Sequence, residues 1–196
     1  YRQGILILLL TVLVSGTVGF AAIVDRNGTS IPNWTITFKD AEGYGELVTD
    51  TVHSGKNSFH LVKTTPKDGA YKYINFNNSA SIENGKTYAY GCWIKADKAI
   101  QINMFFTDSG MENLSALGHT WDWKKVEFKI TATRNNANQE IGFMCYGAAR
   151  NIWIDDVFVY EVDGDGNYVG ENRIANNPGF EATTVSDGSG TAGAQT

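Results

Sequence analysis

The chain has 196 residues, of which 42% are hydrophobic and 12% aromatic, with 21 glycines and 3 prolines. This composition favours one β-rich domain with appended segments over two full domains. The formal net charge is −5, and the 16 lysines and arginines are scattered without forming a basic stripe. Charge therefore argues against nucleic acids and anionic membrane surfaces as partners, and it favours a neutral ligand.

The N-terminal segment has the pattern of a secretory signal. An apolar run at residues 5–14 is followed by Gly19 and Ala21, two small residues at the spacing of a signal-peptidase site. This pattern predicts that residues 1–21 are a signal peptide and that the protein is secreted or extracellular. The alternative is a membrane anchor and a cell-surface location, because the apolar stretch continues with interruptions to Val24 and approaches the length that spans a bilayer.

Short apolar runs separated by Gly, Asn and Asp dominate the sequence from residue 33 onward, and no helical period competes with them. They predict strands near residues 34–39, 46–51, 58–64, 71–75, 86–95, 101–107, 124–131, 140–146 and 151–162. So many short strands in so few residues predict an all-β fold. We expect an antiparallel β-sandwich of the jelly-roll type over residues 22–162.

Alternation within three of these strands separates a core face from an outer face. The predicted core face carries Ile74, Phe76, Tyr88, Tyr90, Cys92, Ile94, Ile102, Met104 and Phe106. The outer faces mix aromatic rings with amides, at Tyr71, Tyr73, Asn75, Trp93, Gln101, Asn103 and Phe105. Because a sugar stacks its C–H faces on rings and pairs its hydroxyls with amides, this mixture predicts a carbohydrate-binding surface. For any single residue, the alternative is an outer aromatic that only covers the sheet.

The reactive side chains of the sequence form no recognisable catalytic set. Asp155 and Asp156 are neighbours in a predicted strand, so we expect their side chains on opposite faces, where they cannot flank one glycosidic bond. The three histidines lack the spacing of metal ligands, and no nucleophile motif is present. Cys92 and Cys145 each lie in a predicted strand, and both two buried thiols and a single bridge between them fit the sequence.

Four segments, at Val48–Leu61, Ile82–Asp97, Trp121–Thr133 and Ile152–Val162, follow one another in a familiar order and spacing. Together they resemble the carbohydrate-binding modules of the family 4/9/22 type, which are galactose-binding-like jelly rolls attached to secreted polysaccharide-degrading enzymes. The resemblance covers residues 31–162. It implies a noncatalytic module that holds a glycan on its concave sheet or at the loops along one edge.

The resemblance also implies which residues contact the glycan. In such modules, aromatic residues in two of the strands stack on sugar, and they correspond here to Tyr71, Tyr73 and Phe105. The hydrogen-bonding positions beside them are Asn75, Gln101 and Asn103. Trp93 joins the predicted ligand-binding set because alternation places it on an outer face.

A structural calcium ion is a further implication of the resemblance. Its usual ligands correspond to carbonyls of the turn at residues 53–56 and to Asp155. Related modules also open with an Asn-Gly-x-Phe-Glu element, but residues 25–34 lack the Phe and the Glu, and Glu46 is the expected substitute. The predicted metal set is therefore Asp155, Glu46, Ser54 and Lys56.

The end of the chain poses a separate question. Residues 163–170 resemble half of an EF-hand loop but lack its later ligands, so we interpret residues 163–175 as a polar hairpin or linker. The "NPGFEA" segment at residues 177–182 resembles the missing opening element. We therefore expect residues 176–196 to be the start of a second, truncated module or a flexible tail. The alternative is that Glu181 folds back and completes the first module.

These observations predict the function. We expect a noncatalytic, monomeric module of a secreted polysaccharide-degrading enzyme, with a glycan as ligand and a linked catalytic domain as partner. One alternative is a jelly-roll domain that binds no sugar and acts as a spacer or adhesion unit. Another is an anchored glycan-capture protein, in which the N-terminal segment is not cleaved.

Overall fold

The structure is a computed structural model. It describes residues 23–24, 29–31, 34–39, 42–64, 73–106, 110–117, 120–146, 150–174, 177–182 and 184–185. For part of the strand residues, only the backbone is described. The predicted signal segment at residues 1–21 lies outside the described residues. Nowhere in the described ranges is there a helix with the length and hydrophobicity needed to cross a membrane.

Strands account for nearly all of the regular structure. They are β1 (Ile23–Val24), β2 (Thr29–Ile31), β3 (Thr35–Lys39), β4 (Gly43–Val48), β5 (Ser58–Lys63), β6 (Tyr73–Ile82), β7 (Thr87–Ala96), β8 (Ile100–Phe106), β9 (Gly110–Leu117), β10 (Thr120–Thr131), β11 (Asn136–Tyr146), β12 (Arg150–Val162), β13 (Tyr168–Val169) and β14 (Thr184–Val185). All nine predicted strands have a counterpart among them. β9 was not predicted, because its sequence "GMENLSAL" does not alternate.

The described strands form two large sheets and one small sheet. The six-stranded sheet has the order β10-β7-β12-β5-β4, with β13 paired to β12. The five-stranded sheet has the order β3-β6-β11-β8-β9, and β1-β2-β14 form the small sheet. Every strand pair is antiparallel. The prediction of an all-β, antiparallel architecture is confirmed.

The hydrophobic core lies between the two large sheets. Tyr88, Tyr90 and Ile94 of β7 are fully buried, as alternation predicts. They share one cluster with Ala80 and Ile82 of β6 in the other sheet. Because the same cluster draws on both sheets, the outer side of each sheet faces away from the other.

The C-terminal segment at residues 177–182 packs into this core. The Phe180 ring is fully buried, with its centroid 5.1 Å from that of Trp34 and 5.8 Å from that of Phe59. The indole N–H of Trp34 donates to the carbonyl of Asn177 at 3.0 Å. These contacts correct the boundary predicted at residue 176. They agree with the alternative expectation that the segment folds back, because the sandwich itself offers the apolar pocket that Phe180 needs.

The segment at residues 163–174 is likewise held against the sandwich. β13 pairs with the end of β12, so the polar hairpin among the sequence alternatives describes residues 163–169. Asn172 accepts the N–H of Val159 at 2.9 Å and donates to the carbonyl of Val157 at 2.9 Å. Ile174 is buried in the core cluster and bridges to Ala80. Residues 163–174 are therefore part of the domain and do not act as a free linker.

Candidate functional site

The five-stranded sheet brings most of the predicted sugar-binding positions together. Through β11, Asn75 of β6 and Asn103 of β8 both pair with Met144, so they stand in one row across the sheet. The row continues to Thr37 on β3 and to Asn113 on β9. Five strands at about 4.8 Å spacing make this row roughly 19 Å long.

The other predicted positions of this sheet occupy the neighbouring rows. Gln101 pairs with Tyr146, and Tyr73 with Lys39. Phe105 pairs with Gly142, a residue without a side chain. Each predicted position lies two residues from Asn75 or Asn103 along its own strand, so the pleat puts all of them on one side of the sheet. Their side chains, and the whole of Tyr71, lie outside the described part of the structure.

That side is the outer one, as the described end of β6 shows. Asn78, Ala80 and Ile82 are buried, whereas Ser81 between them is exposed. Tyr73 and Asn75 have the same parity as Ser81 on this strand. Positions of this parity therefore belong to the solvent side of the sheet.

Trp93 stands apart from this group. It lies on β7 in the six-stranded sheet, where it pairs with Asp155 of β12 and Lys125 of β10. Trp93 has the predicted outward orientation, since Cys92 and Ile94 on either side of it along the strand are buried. The core separates it from the five-stranded sheet, so the predicted ligand-binding set is divided between two opposite faces. Alternation indicates which face a residue occupies but does not indicate the sheet.

Asp155 and Asp156 do not point to opposite sides, contrary to the expectation from simple alternation. The register of β12 shifts between Asp155 and Phe158, and Asp156 has a left-handed φ of 44°. Both carboxylates consequently reach the same turn: Asp155 accepts the N–H of His53 at 2.9 Å, and Asp156 lies 2.6 Å from Nδ1 of His53. A bulge of this kind redirects a side chain without ending the strand.

The turn after β4 is held by three carboxylates. Asp155 also accepts the N–H of Ser54 at 3.2 Å, and Asp156 accepts the Ser54 hydroxyl at 2.9 Å. Glu181 of the C-terminal segment accepts the N–H groups of Lys56 at 2.8 Å and Asn57 at 3.1 Å. Gly55 has a left-handed φ of 63° directly under the Glu181 carboxylate, where a Cβ would clash. Glycine is required there on both grounds.

Burial raises the pKa of Asp155 to about 6. The N–H bonds from His53 and Ser54 lower it, and the nearby charge of Asp156 raises it further. The carboxyl group is fully buried. Because desolvation dominates over the hydrogen bonds, Asp155 is held in an environment that disfavours its charged form unless a cation compensates.

The predicted metal set is only partly assembled. Asp155, Ser54 and Lys56 meet at this turn, but Glu46 is bonded to His60 at 3.1 Å in a different part of the sheet. The turn presents N–H groups to Asp155, whereas the prediction had carbonyls around a cation. Within the described residues, no three His, Cys, Asp or Glu side chains are arranged to hold a metal. Calcium stays a prediction.

Glu181 is the residue of this region that the predicted set lacks. The sequence pattern "NPGFE" did indicate that a Glu of this type belongs beside the turn, but its place far along the chain suggested another module. The structure brings it back across 125 positions of sequence. A local pattern identifies such an element but does not identify the core that it joins.

Comparisons with known proteins concern the fold. No protein-family model and no curated protein matches the sequence. Solved structures do match. One is a Clostridium thermocellum endo-1,4-β-D-xylanase 10B fragment with CBM22-1 and GH10 modules, complexed with xylohexaose. It is 14% identical over 69% of this chain and 27% of that chain, with a TM-score of 0.50.

Two further structures are similar. TmCBM61 in complex with β-1,4-galactotriose is 17% identical over 67% of this chain and 90% of that chain, with a TM-score of 0.49. The CBM22-1 xylan-binding domain of Paenibacillus barcinonensis Xyn10C is 11% identical over 67% of this chain and 87% of that chain, with a TM-score of 0.45. At such identities the likeness is one of fold. All three of these solved structures contain carbohydrate-binding modules.

Proposed function

We propose that the chain is a noncatalytic carbohydrate-binding module whose glycan lies on the outer side of the five-stranded sheet. The observation that carries the proposal is the row from Thr37 through Asn75, Met144 and Asn103 to Asn113. It aligns polar, uncharged residues on four of the five strands, with Met144 on the middle strand, next to positions that carry aromatic residues. Such a row suits the hydroxyl groups of an extended, neutral glycan.

The ligand would contact a surface with both of the groups that sugars need. Phe105 and Tyr73 supply rings for stacking, and Asn75, Gln101 and Asn103 supply amides for hydrogen bonds. Gly142 stands between Asn77 and Phe105 in the row beside them. A position without a side chain next to Phe105 leaves space for a sugar ring on this face.

Noncatalytic capture of a glycan would serve a linked catalytic domain by raising its effective concentration at the substrate. The Clostridium thermocellum chain joins a module of this fold to a GH10 module, which is an arrangement that supports the proposal. We propose the same setting, a secreted polysaccharide-degrading protein, for this chain. A structural calcium ion at Asp155 is a separate part of the proposal, supported by the buried carboxyl group of Asp155, whose charged form a cation would stabilise.

Affinity electrophoresis of the full chain against xylan, β-glucan, mannan and β-1,4-galactan tests the proposal. We expect retardation on at least one polysaccharide, and at least tenfold weaker retardation in Phe105→Ala and Asn103→Ala variants. Asn138→Ala is the matched control, because Asn138 is an exposed amide near the far end of β11 in the same sheet. If the wild type migrates unretarded on all four gels, the chain is a spacer or adhesion domain instead.

A further inference from the structure

A groove lies on the outer face of the six-stranded sheet, on the opposite side of the sandwich from the proposed glycan face. It has a volume of about 470 Å³, and its lining includes Trp93, Lys125, Asp156, Phe158, Tyr160 and Tyr168. Volumes of this size accommodate small organic ligands or a short stretch of a chain. We refer to it as the hairpin groove, because β13 of the hairpin forms one of its sides.

The floor of the hairpin groove is the ring of Phe158, which is only 5% exposed. Phe158 is opposite Gly91 in the register of β12 and β7. A Cβ added at Gly91 would lie 2.7 Å from Cζ of Phe158. The glycine therefore allows the ring to lie against the sheet and gives the groove an apolar base.

One wall consists of two tyrosines in a fixed arrangement. The rings of Tyr160 and Tyr168 stack at 4.7 Å with an interplanar angle of 8°. The hydroxyl of Tyr168 donates to Glu127, and Nζ of Lys125 lies 4.8 Å from the Tyr168 ring centroid. Tyr168 is nevertheless 40% exposed. An exposed ring that is already immobilised loses little conformational entropy when a ligand stacks on it.

The opposite wall is Trp93, which is also held in place. The His53 ring stacks on it at 3.8 Å with an interplanar angle of 15°, and Asp156 fixes His53 through the 2.6 Å contact to Nδ1. Pro178 of the C-terminal segment closes the groove on this side. Both walls are thus aromatic and prepositioned before any ligand arrives.

The charged side chains that line the hairpin groove each have a partner. Lys125 contacts Glu127 at 2.8 Å, and Asp156 lies 2.6 Å from Nδ1 of His53. The groove therefore offers hydrogen-bond donors and acceptors from Lys125, Asp156 and Tyr168 that already have partners in the protein, which suits a hydroxyl-rich neutral ligand. We propose that the hairpin groove is a second binding site for a neutral pyranose unit of a glycan, independent of the five-stranded face.

Affinity electrophoresis of the full chain on the same four polysaccharides tests this site, with Tyr168→Ala as the main variant. We expect the Phe105→Ala variant to keep residual retardation on at least one polysaccharide, and the Phe105→Ala/Tyr168→Ala double variant to lose it. Val169→Ala is the matched control: Val169 is adjacent, 42% exposed, and outside the groove lining. Trp93→Ala should weaken the residual binding at least threefold, which provides a second route if Tyr168→Ala disturbs the hairpin.

Two outcomes overturn the proposal, and each leaves the proposed function standing. One is a Phe105→Ala variant with no residual retardation on any polysaccharide while the wild type binds. The other is residual retardation in Phe105→Ala that neither Tyr168→Ala nor Trp93→Ala reduces. A proline-rich decapeptide serves as a rival probe, since such peptides also dock into aromatic grooves. Binding of that peptide in place of the glycans, lost in Tyr168→Ala, would assign the groove to a protein partner and contradict a sugar site.

Discussion

The two outer faces of the sandwich use aromatic residues differently. On the six-stranded sheet, rings pack on one another or on histidines, as in the stack of His60 on Trp153 at 4.7 Å and 4°. His60 is further fixed by Glu46 and by Asn151, which lies 3.0 Å from its Nε2. The five-stranded sheet instead aligns four uncharged polar positions and Met144 in one row. An outer aromatic on a strand is therefore weak evidence for a ligand until its neighbours in the sheet are known.

The largest expected effect comes from the core that both faces share. Phe180→Ala should reduce the free energy of unfolding by about 3–5 kcal/mol, because it empties a fully buried aromatic site. Because both outer faces belong to one domain, glycan binding by both faces should then be lost in a single unfolding transition. Chemical denaturation measures the change, and Ala182→Ser is the matched control at an exposed residue of the same segment. If Phe180→Ala unfolds like the wild type, the C-terminal segment is not part of the domain.

The free energy of unfolding should depend on pH through Asp155, which lies on the six-stranded sheet. Its folded pKa of about 6 lies above the ordinary value of 3.8, so the folded state holds this proton more tightly than the unfolded state does. Its contribution to stability is therefore full below about pH 4 and is lost as the pH rises through 6, by roughly 3 kcal/mol in total.

Urea denaturation with chelator between pH 4 and pH 7 checks this sign. The unfolding free energy of the wild type, minus that of Asp155→Asn, should fall over that range. The comparison with the variant is needed because carboxylates with a lowered pKa make the unfolding free energy rise with pH, which is opposite to the effect of Asp155. For Glu127, burial raises the pKa, but the bonds from Lys125 and Tyr168 outweigh it and leave the pKa below its usual value. A flat difference would mean that Asp155 is ionised without penalty.

Calcium should act next in size, and on the same face. A cation bound near Asp155 would stabilise the folded state by about 2.7 kcal/mol at a concentration one hundred times its Kd. Differential scanning calorimetry with Ca²⁺ and with chelator measures this, and Mg²⁺ is the control because it demands a more regular ligand geometry. Equal melting temperatures with Ca²⁺, with Mg²⁺ and with chelator would contradict the proposal of a structural calcium ion. Binding to the five-stranded face should change only through stability.

The smallest expected effect separates the two faces directly. Phe105→Ala should weaken binding of the preferred polysaccharide at least tenfold, or about 1.4 kcal/mol, with a small change in melting temperature. Trp93→Ala should leave that binding within about twofold, because the core lies between the two residues. Affinity electrophoresis and thermal unfolding on the same variants provide both numbers. The reverse ranking would place the main ligand on the six-stranded face.

Much of this fold could be predicted from the sequence because strand alternation is a local property. β7 was predicted within one residue at each end, and its core face was assigned correctly. The partners of the strands were not predictable in the same way. Trp93 had the expected parity yet belongs to the other sheet, and Glu46 faces outward where it meets His60. Parity follows from the backbone of one strand, whereas a site depends on which strands pair.

Two features of the candidate metal region could not be predicted from the sequence. The bulge that turns Asp156 toward His53 depends on a left-handed residue in mid-strand, which neighbouring sequence does not indicate. The role of Glu181 depends on chain closure, since the Phe180 beside it occupies a pocket formed by residues more than a hundred positions earlier. Both cases concern long-range contacts, which no local pattern specifies.

The small sheet has a mechanical consequence. β2 pairs antiparallel with β14, through Ser30 with Thr184 and Thr29 with Val185. β1 and β14 lie on either side of β2, so the first and last described strands are held about 10 Å apart. Neighbouring ends of this kind permit a domain to be inserted into another chain. Tension applied at Ile23 and Val185 would pull from opposite ends of β2, so the rungs of this small sheet would be loaded in shear together.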